Sequence, residues 1–406
     1  MLPLHSDDEL ALIGARLSES EALALLLVQI EPLATIERRY GPEAYQAALS
    51  AMLRLIRSVA RESLPKRDVL VTVGRRGDTL LAFLFRPRSD RAFYTATLGE
   101  LRERLTLELT DRGRHAVYPY FREPLVIGVG EAVALFNPNV KHTHQILEVV
   151  EIAVRDAELE TRLRVRERGR QVLQLILGET LTCRYEPIVD LETRTPLGYE
   201  ALTRGPEGSS LRSPDRLFAQ AREVGLTFEL DCLCRRVAFA HASCIPRGKK
   251  LFLNCLPASI ADPTLRGDGL LATLEKYELS PEDLVLEISE RESIENFAIF
   301  REVRDTYREL GVQIAVDDAG AGYASLEAIM EIAPDYLKAD MTLVRGVDSD
   351  PPRREVLSGL SAVASQIGAQ VIAEGIETQD EFRVVRELGI PFGQGYLFGA
   401  PIAGDS

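Results

Sequence analysis

The chain has 406 residues, which is long for one ordinary domain, so two domains are the first expectation. Hydrophobic residues make up 46% and charged residues 27% of the sequence, as is typical of a globular protein with a sizeable core. A net charge of -14 argues against binding to DNA, RNA or an anionic membrane. It does not exclude a small phosphorylated ligand, because bound metal ions reverse the local field.

The first residues and the cysteines both favour a cytoplasmic protein. Residues 1–9 are mildly acidic and lack the basic and then apolar pattern of a signal peptide. The apolar run 22–30 is far too short to span a bilayer. The five cysteines form no C-x-x-C pair, so we expect buried, reduced thiols and no zinc site. Any metal would be held mainly by oxygen, which favours Mg²⁺ or Mn²⁺.

The first part of the chain alternates strand and helix patterns in the order β-α-β-β-α-β. The predicted strands are 23–30, 69–73, 79–85 and 125–132, and the predicted helices are 42–62 and 90–110. A charged turn with glycines at 74–78 joins the second and third strands as a hairpin. This order predicts a compact α+β domain with a mostly antiparallel sheet.

A long helical pattern follows. Apolar residues recur at helical spacing between Thr143 and Leu177 among many charged residues, which predicts a solvated helical connector. Gly178 suits the end of this helix. We therefore expect a first domain at 1–160, a helical linker at 161–178 and a second domain at 179–406.

Beyond Gly178, short apolar runs alternate with amphipathic helical segments as far as the last residues. The predicted strands are 184–191, 197–203, 250–256, 284–288, 313–316, 336–339, 370–373 and 395–398. Eight such units predict a (β/α)8 barrel of the TIM type, with an open doubly wound sheet as the alternative.

Polar residues end most of these strands, where the catalytic residues of such barrels gather. They are Glu200, Asn254, Glu287, the pair Asp317 and Asp318, Lys338 and Glu374. Neighbouring carboxylates repel each other unless cations or solvent separate them. Taken alone, the Asp pair also fits a solvated strand end that caps the next helix. The whole ring favours two hard metal ions that activate water for phosphodiester hydrolysis.

These strand ends resemble the EAL phosphodiesterase domain, whose substrate is cyclic di-GMP. Glu200-Ala201-Leu202 matches the motif that names the family, and the resemblance runs from about residue 180 to 402. It implies a modified TIM barrel with one antiparallel strand and hydrolysis of cyclic di-GMP to linear pGpG. It also implies a homodimer formed through this domain.

The resemblance further implies roles for single residues. The implied ligands of the two Mg²⁺ or Mn²⁺ ions are Glu200, Asn254, Glu287, Asp317, Asp318 and Glu374. The implied catalytic residues are Lys338, which contacts the nucleophilic water, Glu374, Glu200, and Glu290, which steadies the loop after the fifth strand. The implied substrate-binding residues are Arg204, which contacts a phosphate, Leu202, Glu186 and Gln394.

Three residues depart from the family pattern, and none of them removes a metal ligand. Glu186 stands where glutamine is usual near the substrate. Ala319 and Ala321 replace a common Phe and a frequent Thr in the loop after the fifth strand. That loop is implicated in dimerisation and activation in the family, so the sequence predicts the chemistry more directly than its regulation.

Residues 20–160 resemble the GGDEF domain, the diguanylate cyclase fold. The resemblance rests on the element order, on Tyr40-Gly41 and on the strand 126–129. The signature hairpin is altered at 76–80, and Gln29 replaces the metal-binding Asp of the first strand. We therefore expect no cyclase activity. A regulatory domain that senses GTP or another guanine nucleotide and a purely structural domain are the two alternatives.

Two functions from different classes stand at this point. The leading hypothesis is a metal-dependent cyclic di-GMP phosphodiesterase regulated by an inactive GGDEF-like domain. The alternative is a non-catalytic receptor that binds cyclic di-GMP and signals through the helix at 143–177. A bifunctional cyclase and phosphodiesterase conflicts with Gln29 and Thr79. An unrelated metal-dependent barrel enzyme, such as an enolase-like one, is the last alternative.

Overall fold

A computed structural model gives the positions of most of the chain. It describes residues 7–30, 32–61, 68–73, 79–118, 120, 127–260, 262, 265–289, 297–320, 329 and 331–404. The chain forms two compact units, Met1–Arg168 and Gly169–Ser406, which we call unit 1 and unit 2. Within the described ranges, no helix is both long and apolar enough to cross a membrane.

Unit 1 is built on a four-stranded antiparallel sheet in the order β2-β3-β1-β4. Its strands are β1 (Ala22–Gln29), β2 (Val69–Val73), β3 (Thr79–Leu84) and β4 (Gly128–Leu135). Its helices are Asp7–Ser20, Pro32–Arg61, Leu98–Val117 after a π-helical turn at Phe93–Thr97, and the first part of His142–Gly178. The predicted α+β fold is confirmed, while the hairpin turn 74–78 lies outside the described residues.

Strand β1 is apolar along nearly its whole length because both of its faces are covered. Leu23, Leu25 and Leu27 pack on one side of the sheet with Phe83. Ala24 and Leu26 pack on the other side, against Leu84 and Leu98. Alternate residues of a strand face opposite sides, so a continuous apolar run is the pattern of a doubly covered central strand.

Gly130 of β4 allows the helix His142–Gly178 to lie directly against this edge strand. A Cβ at Gly130 would lie 2.0 Å from the carbonyl oxygen of Ala153 and 2.7 Å from the backbone nitrogen of Ala157. The Asp156 carboxylate accepts a 2.8 Å hydrogen bond from the backbone N–H of Glu131. The helix therefore covers the strand and satisfies one of its edge donors.

Unit 2 is a closed barrel of eight strands. The strands are β5 (Thr182–Asp190), β6 (Pro196–Arg204), β7 (Lys250–Cys255), β8 (Leu284–Ser289), β9 (Gln313–Ala319), β10 (Tyr336–Ala339), β11 (Gln370–Ala373) and β12 (Phe392–Gln394). β5 is antiparallel to both β6 and β12 and closes the barrel, whereas the other neighbours are parallel. The predicted modified TIM barrel, including its antiparallel strand, is confirmed.

Helices surround this barrel. Those among the described residues are Pro214–Glu223, Thr227–Ala240, Gly267–Lys276, Phe297–Glu309, Met341–Val344, Pro351–Ile367 and Gln379–Glu387. Strand residues such as Leu253, Leu286 and Val316 face outwards and join the apolar core beneath the helices. A final short strand, β13 (Ile402–Ala403), pairs with β5 outside the barrel.

The position predicted for the eighth strand was wrong. Residues 395–398 are not a strand; β12 ends at Gln394 and Tyr396–Phe398 form a 3₁₀ turn. Gly395 has a φ of 145° and approaches the Ile376 backbone so closely that a Cβ would lie 2.4 Å from its oxygen. The apolar Tyr-Leu-Phe run misled the prediction, because the glycine bends the chain and leaves Tyr396 68% exposed.

The helix His142–Gly178 contains the whole predicted connector and ends at Gly178 as expected. The boundary between the two compact units, after Arg168, falls inside it. The boundaries expected for the first domain, the linker and the second domain (1–160, 161–178 and 179–406) stay a prediction.

Gly130→Ala should lower the free energy of unfolding of unit 1 by about 1–3 kcal/mol, the usual cost of overpacking. The added methyl group has no room beside the backbone of Ala153 and Ala157. Urea denaturation followed by circular dichroism measures the change.

Gly99→Ala is the matched control, because a Cβ there meets no atom within 4 Å and the residue lies in the helix Leu98–Val117. It should be neutral or stabilise by up to about 1 kcal/mol, the helix preference of Ala over Gly. Equal losses from the two substitutions would contradict the packing described for β4.

Candidate active site

The barrel interior contains an apolar layer from seven strands. It consists of Ile188, Phe252, Val285, Ala315, Tyr336, Ile372 and Phe392. Side chains two residues apart share one face of a strand, so the next layer is set by the register. Towards the carboxyl ends of the parallel strands, these next residues are Asn254, Glu287, Asp317, Lys338, Glu374 and Gln394. A polar layer thus lies directly on an apolar one.

The remaining members of the polar layer come from β5 and β6. Because β5 runs in the opposite direction, the same step from Ile188 leads back to Glu186. Glu186 lies opposite Glu200 in the antiparallel pairing of these strands. Burial, together with the charge of Glu200, raises the pKa of Glu186.

The Lys338 ammonium lies in the middle of this layer, and its side chain is only 1% exposed. Its Nζ lies 3.0 Å from Glu200 Oε2 and 3.0 Å from Glu287 Oε1. It also lies 3.2 Å from Asp317 Oδ1 and 2.8 Å from Glu374 Oε1. Three carboxylates from three different strands, and that of Glu374 directly after β11, therefore share one ammonium.

Two side-chain amides hold Glu200. Asn254 Nδ2 donates a 3.1 Å hydrogen bond to Glu200 Oε1, and Gln394 Nε2 donates a 2.7 Å hydrogen bond to Glu200 Oε2. Burial alone would raise the pKa of Glu200, but Lys338 and these amides outweigh it and lower the pKa. The protein itself therefore stabilises the charged form of Glu200.

The other carboxylates are less well balanced. Burial and the charge of Glu200 raise the pKa of Glu287 well above its ordinary value, although Lys338 opposes the shift. Burial likewise raises the pKa of Glu374 to about 8, against the opposing effect of Lys338. For Lys338, burial would lower the pKa, but Asp317 and the glutamates raise it well above the ordinary value. One permanent cation does not balance this much negative charge.

A β-bulge brings the consecutive residues Asp317 and Asp318 into the same cluster. Val316 pairs with Leu337 and Ala319 with Ala339, so two residues of β9 lie opposite Lys338. Asp318 has a φ of 59°, in the left-handed region that Asp adopts more readily than most residues. Such bulges redirect side chains beside active sites.

The carboxylates of Asp317, Asp318 and Glu374 offer oxygens that all lie within 4.8 Å of one another. Nearby, Glu287 Oε2 and Gln394 Oε1 are buried and have no hydrogen-bond partner among the described residues. Closely spaced carboxylate oxygens, with two further buried acceptors beside them and an excess of acidic groups over cations, fit hard divalent cations such as Mg²⁺ and Mn²⁺.

A cavity of about 370 Å³ opens beside this cluster and is large enough for a small organic ligand. Its inner wall includes Glu200, Asn254, Glu287, Asp317 and Asp318. Its outer wall includes Leu202, Arg204, Asp215, Phe218 and Arg222. Charged and apolar walls together suit a ligand that carries both a phosphate and an aromatic base.

A buried charge network that the sequence predictions did not include forms part of this wall. Arg235 is 1% exposed and forms ion pairs with Asp231 and, at 3.2 Å, with Asp262. Asp231 also accepts a 3.3 Å hydrogen bond from the backbone of Leu256. The network fastens the helix Thr227–Ala240 to the segment just after Asn254. The sequence indicates this network only through the spacing of Asp231 and Arg235, which lie four residues apart and therefore on one face of the helix.

Of the predicted site residues, Glu290 lies outside the described residues, as does Ala321. The structure places the other predicted catalytic and metal-binding residues in the polar layer or its bulge, with Glu186 and Gln394. Leu202 and Arg204 line the cavity. Arg204 donates a 2.8 Å hydrogen bond to the carbonyl oxygen of Thr203. Ala319 is fully buried at the end of β9.

Residues 170–401, more than half of the chain, match the family model of the EAL domain. The chain belongs to the EAL-domain family. Its relatives include the blue light- and temperature-regulated antirepressor BluF of Escherichia coli (strain K12), 28% identical over 215 residues. That match covers 53% of this chain and 52% of BluF.

A second relative is the cyclic di-GMP phosphodiesterase NbdA of Pseudomonas aeruginosa (strain PAO1), 24% identical over 402 residues. This match covers 94% of the chain and 49% of NbdA, so the chain spans about half the length of these curated relatives. The EAL enzyme Bd1971, solved with cAMP and cyclic-di-GMP bound, has a TM-score of 0.53 at 24% identity. The matched region covers 68% of this chain and 78% of the Bd1971 chain, and the similarity supports the EAL fold.

Lys338→Met should lower the free energy of unfolding of the metal-free protein by about 3–5 kcal/mol, because it leaves buried carboxylates without their shared cation. The loss should be larger at pH 8 than at pH 5. At the lower pH the carboxylates take up protons, so their charges no longer repel. Guanidinium denaturation at the two pH values measures both effects.

Lys276→Met removes an exposed lysine of the same unit and should change stability by no more than about 0.5 kcal/mol. A Lys338→Met protein as stable as this control at pH 8 would show that the ammonium does not hold the carboxylates together.

Proposed function

We propose that the chain hydrolyses cyclic di-GMP to linear pGpG with two divalent metal ions, Mg²⁺ or Mn²⁺. The observation that carries the proposal is the excess negative charge of the polar layer at the cavity. The five proposed carboxylate ligands, Glu200, Glu287, Asp317, Asp318 and Glu374, lie around one ammonium, that of Lys338. When ionised, these five ligands exceed the ammonium by four negative charges, which equals the charge of two divalent cations. Glu186 is a sixth carboxyl group of the layer, and its raised pKa favours its neutral form.

The proposed ligands fall into two groups that share one residue. Glu200, Asn254, Glu287 and Asp317 would hold one ion, and Asp317, Asp318 and Glu374 would hold the other. The close approach of the last three carboxylates supports the second group. Two bound ions would lower the pKa of a water molecule and stabilise the leaving oxygen of a phosphodiester.

The protein's own cations complete the proposed site. Lys338 is fixed by its carboxylate contacts, so its ammonium is oriented before substrate binds and can donate to the attacking water or a phosphate oxygen. Arg204 on the cavity wall offers a planar guanidinium that suits a phosphate. The apolar layer beneath the site keeps water out on that side, which strengthens these charge interactions.

We further propose that unit 1 is a GGDEF-like regulatory domain without cyclase activity. Its β-α-β-β-α-β order supports this. Gln29 at the end of β1 offers no carboxylate for a metal. Binding of GTP to unit 1, a homodimer through unit 2 and a cytoplasmic location are parts of the same proposal and rest on the sequence.

A second candidate function is a non-catalytic receptor for cyclic di-GMP. The similarity to BluF, which is named an antirepressor and not a phosphodiesterase, favours keeping it. The two candidates differ in one measurable respect, since a receptor binds cyclic di-GMP without producing pGpG.

The purified chain should convert cyclic di-GMP to pGpG in the presence of Mg²⁺ or Mn²⁺, and a chelator should stop the reaction. Glu200→Gln should lower kcat/KM by at least about a hundredfold, because it disturbs both the cation site and the Lys338 contact. Chromatography of the products over time measures both results.

Glu192→Gln, an exposed residue of the β5–β6 turn, is the matched control and should leave the rate unchanged. Tight binding of cyclic di-GMP with no pGpG formed by any variant would overturn the enzymatic proposal in favour of the receptor.

Mn²⁺ should raise the thermal midpoint of unit 2. A ligand present at a hundred times its dissociation constant stabilises the folded state by about 2.7 kcal/mol. The double variant Asp317→Asn/Asp318→Asn should lose most of this Mn²⁺-induced shift, measured by differential scanning fluorimetry without substrate.

Asp268→Asn/Asp348→Asn removes the same charge from exposed positions of unit 2 and should keep the full shift. An equal Mn²⁺ response in both double variants would place the metal elsewhere.

A further inference from the structure

A second concave region adjoins the mouth of the cavity, and apart from Arg204 its residues have no role in the chemistry described above. This groove of about 540 Å³, here called the arginine groove, is defined by its basic and hydroxyl residues. They are Arg204, Ser209, Ser210, Arg212, Ser213 and Arg216. The groove shares Arg204, Pro214 and Asp215 with the cavity, so a ligand can lie in both at once.

The loop that forms the groove is braced by its own contacts. Gly205 N donates a 3.0 Å hydrogen bond to Arg212 O, and Leu211 N donates a 3.0 Å bond to Ser209 Oγ. Leu211 is 3% exposed and anchors the loop in the core. A Cβ at Gly205 would lie 2.1 Å from the Leu211 oxygen, so the loop closes tightly on itself. The backbone of the loop that presents the arginines is therefore held in one conformation.

The balance of charge in the groove is positive, although the chain as a whole carries a net charge of -14. Three guanidinium groups line it with one carboxylate, Asp215. Arg212 lies 3.5 Å from Glu207, but this pair is 53% and 84% exposed and therefore weak. The side chain of Arg216 has no ion-pair or hydrogen-bond partner within the part of the chain that the structure describes.

The donors of the groove match a phosphate better than other anions. Planar guanidinium groups bind phosphate oxygens in pairs, and serine hydroxyls can donate to a third oxygen. A terminal phosphate monoester carries nearly two negative charges at neutral pH, whereas a phosphodiester carries one. The monoester therefore gains more from three arginines than a diester does.

We propose that the arginine groove binds the terminal 5′-phosphate of a linear guanine dinucleotide whose remaining part lies in the cavity. The assignment rests on the proposed function in one respect, namely that ring opening creates this phosphate. Hydrolysis adds water across one P–O bond, which leaves a 5′-phosphate and a free 3′-hydroxyl. The freed phosphate gains charge and mobility, and the groove is the cationic surface next to the cavity through Arg204.

The test compares pGpG with GpG, which lacks only the terminal phosphate. Isothermal titration calorimetry of the full chain with Mg²⁺ should give a tighter dissociation constant for pGpG than for GpG. Arg212→Ala/Arg216→Ala should reduce this pGpG-to-GpG preference about tenfold and leave the dissociation constant of GpG within twofold. Both residues are exposed, so the variant should fold normally.

Arg247→Ala/Arg354→Ala is the matched control. It removes the same charge from exposed arginines that pair with Glu278 and Glu387, outside the arginine groove, and should keep the full preference. An unchanged preference in the groove variant, or an equal loss in the control, would overturn the assignment.

The outcomes also separate this assignment from the proposed function. Hydrolysis of cyclic di-GMP together with an unchanged preference in the groove variant would overturn the groove alone. Loss of the preference in a chain that binds both dinucleotides without hydrolysing cyclic di-GMP would support the groove and overturn the enzymatic proposal. A chain that neither binds pGpG nor hydrolyses cyclic di-GMP would overturn both.

Discussion

One ammonium shared by several buried carboxylates is the interaction on which unit 2 depends. Lys338 contacts carboxylates in β6, β8 and β9 and, directly after β11, that of Glu374, so it ties together parts of the barrel that are far apart in sequence. A single positive charge does not balance these carboxylates, and burial, together with the neighbouring carboxylates, raises the pKa values of Glu287 and Glu374. Folding and cation binding are therefore linked, because any cation that relieves the repulsion also stabilises the barrel.

The layers of the barrel explain why the site sits where it does. The apolar layer of Phe252, Tyr336 and their neighbours fills the interior. The polar layer lies two residues further along each strand. Water is excluded from below and admitted from the cavity above. The same charges would interact weakly on an open surface, whereas here their mutual effects are strong enough to shift pKa values. The Arg235 network steadies this arrangement from the side, next to Asn254.

Much of this could be predicted from the sequence because it follows from local periodicity. Polar residues at the ends of successive predicted strands are visible in the chain and led to the ring around Lys338. The bulge at Asp318 could not be predicted, since it exists only in the pairing of β9 with β10. The eighth strand was misplaced because an apolar run outweighed the bend at Gly395. The contacts of Arg235 join β7 to a helix, so they need tertiary structure.

The reversed direction of β5 also decides where the polypeptide enters the barrel. In an all-parallel barrel the first strand would begin at the rim opposite the site, but here Thr182, the first residue of β5, pairs with Arg204. The Thr182 hydroxyl donates a 3.4 Å hydrogen bond to the Arg204 carbonyl. The helix that ends at Gly178 is thus connected, through only a few residues, to the arginine shared by the cavity and the arginine groove. A twist or pull on that helix has a short mechanical path to the rim of the barrel where the cavity opens.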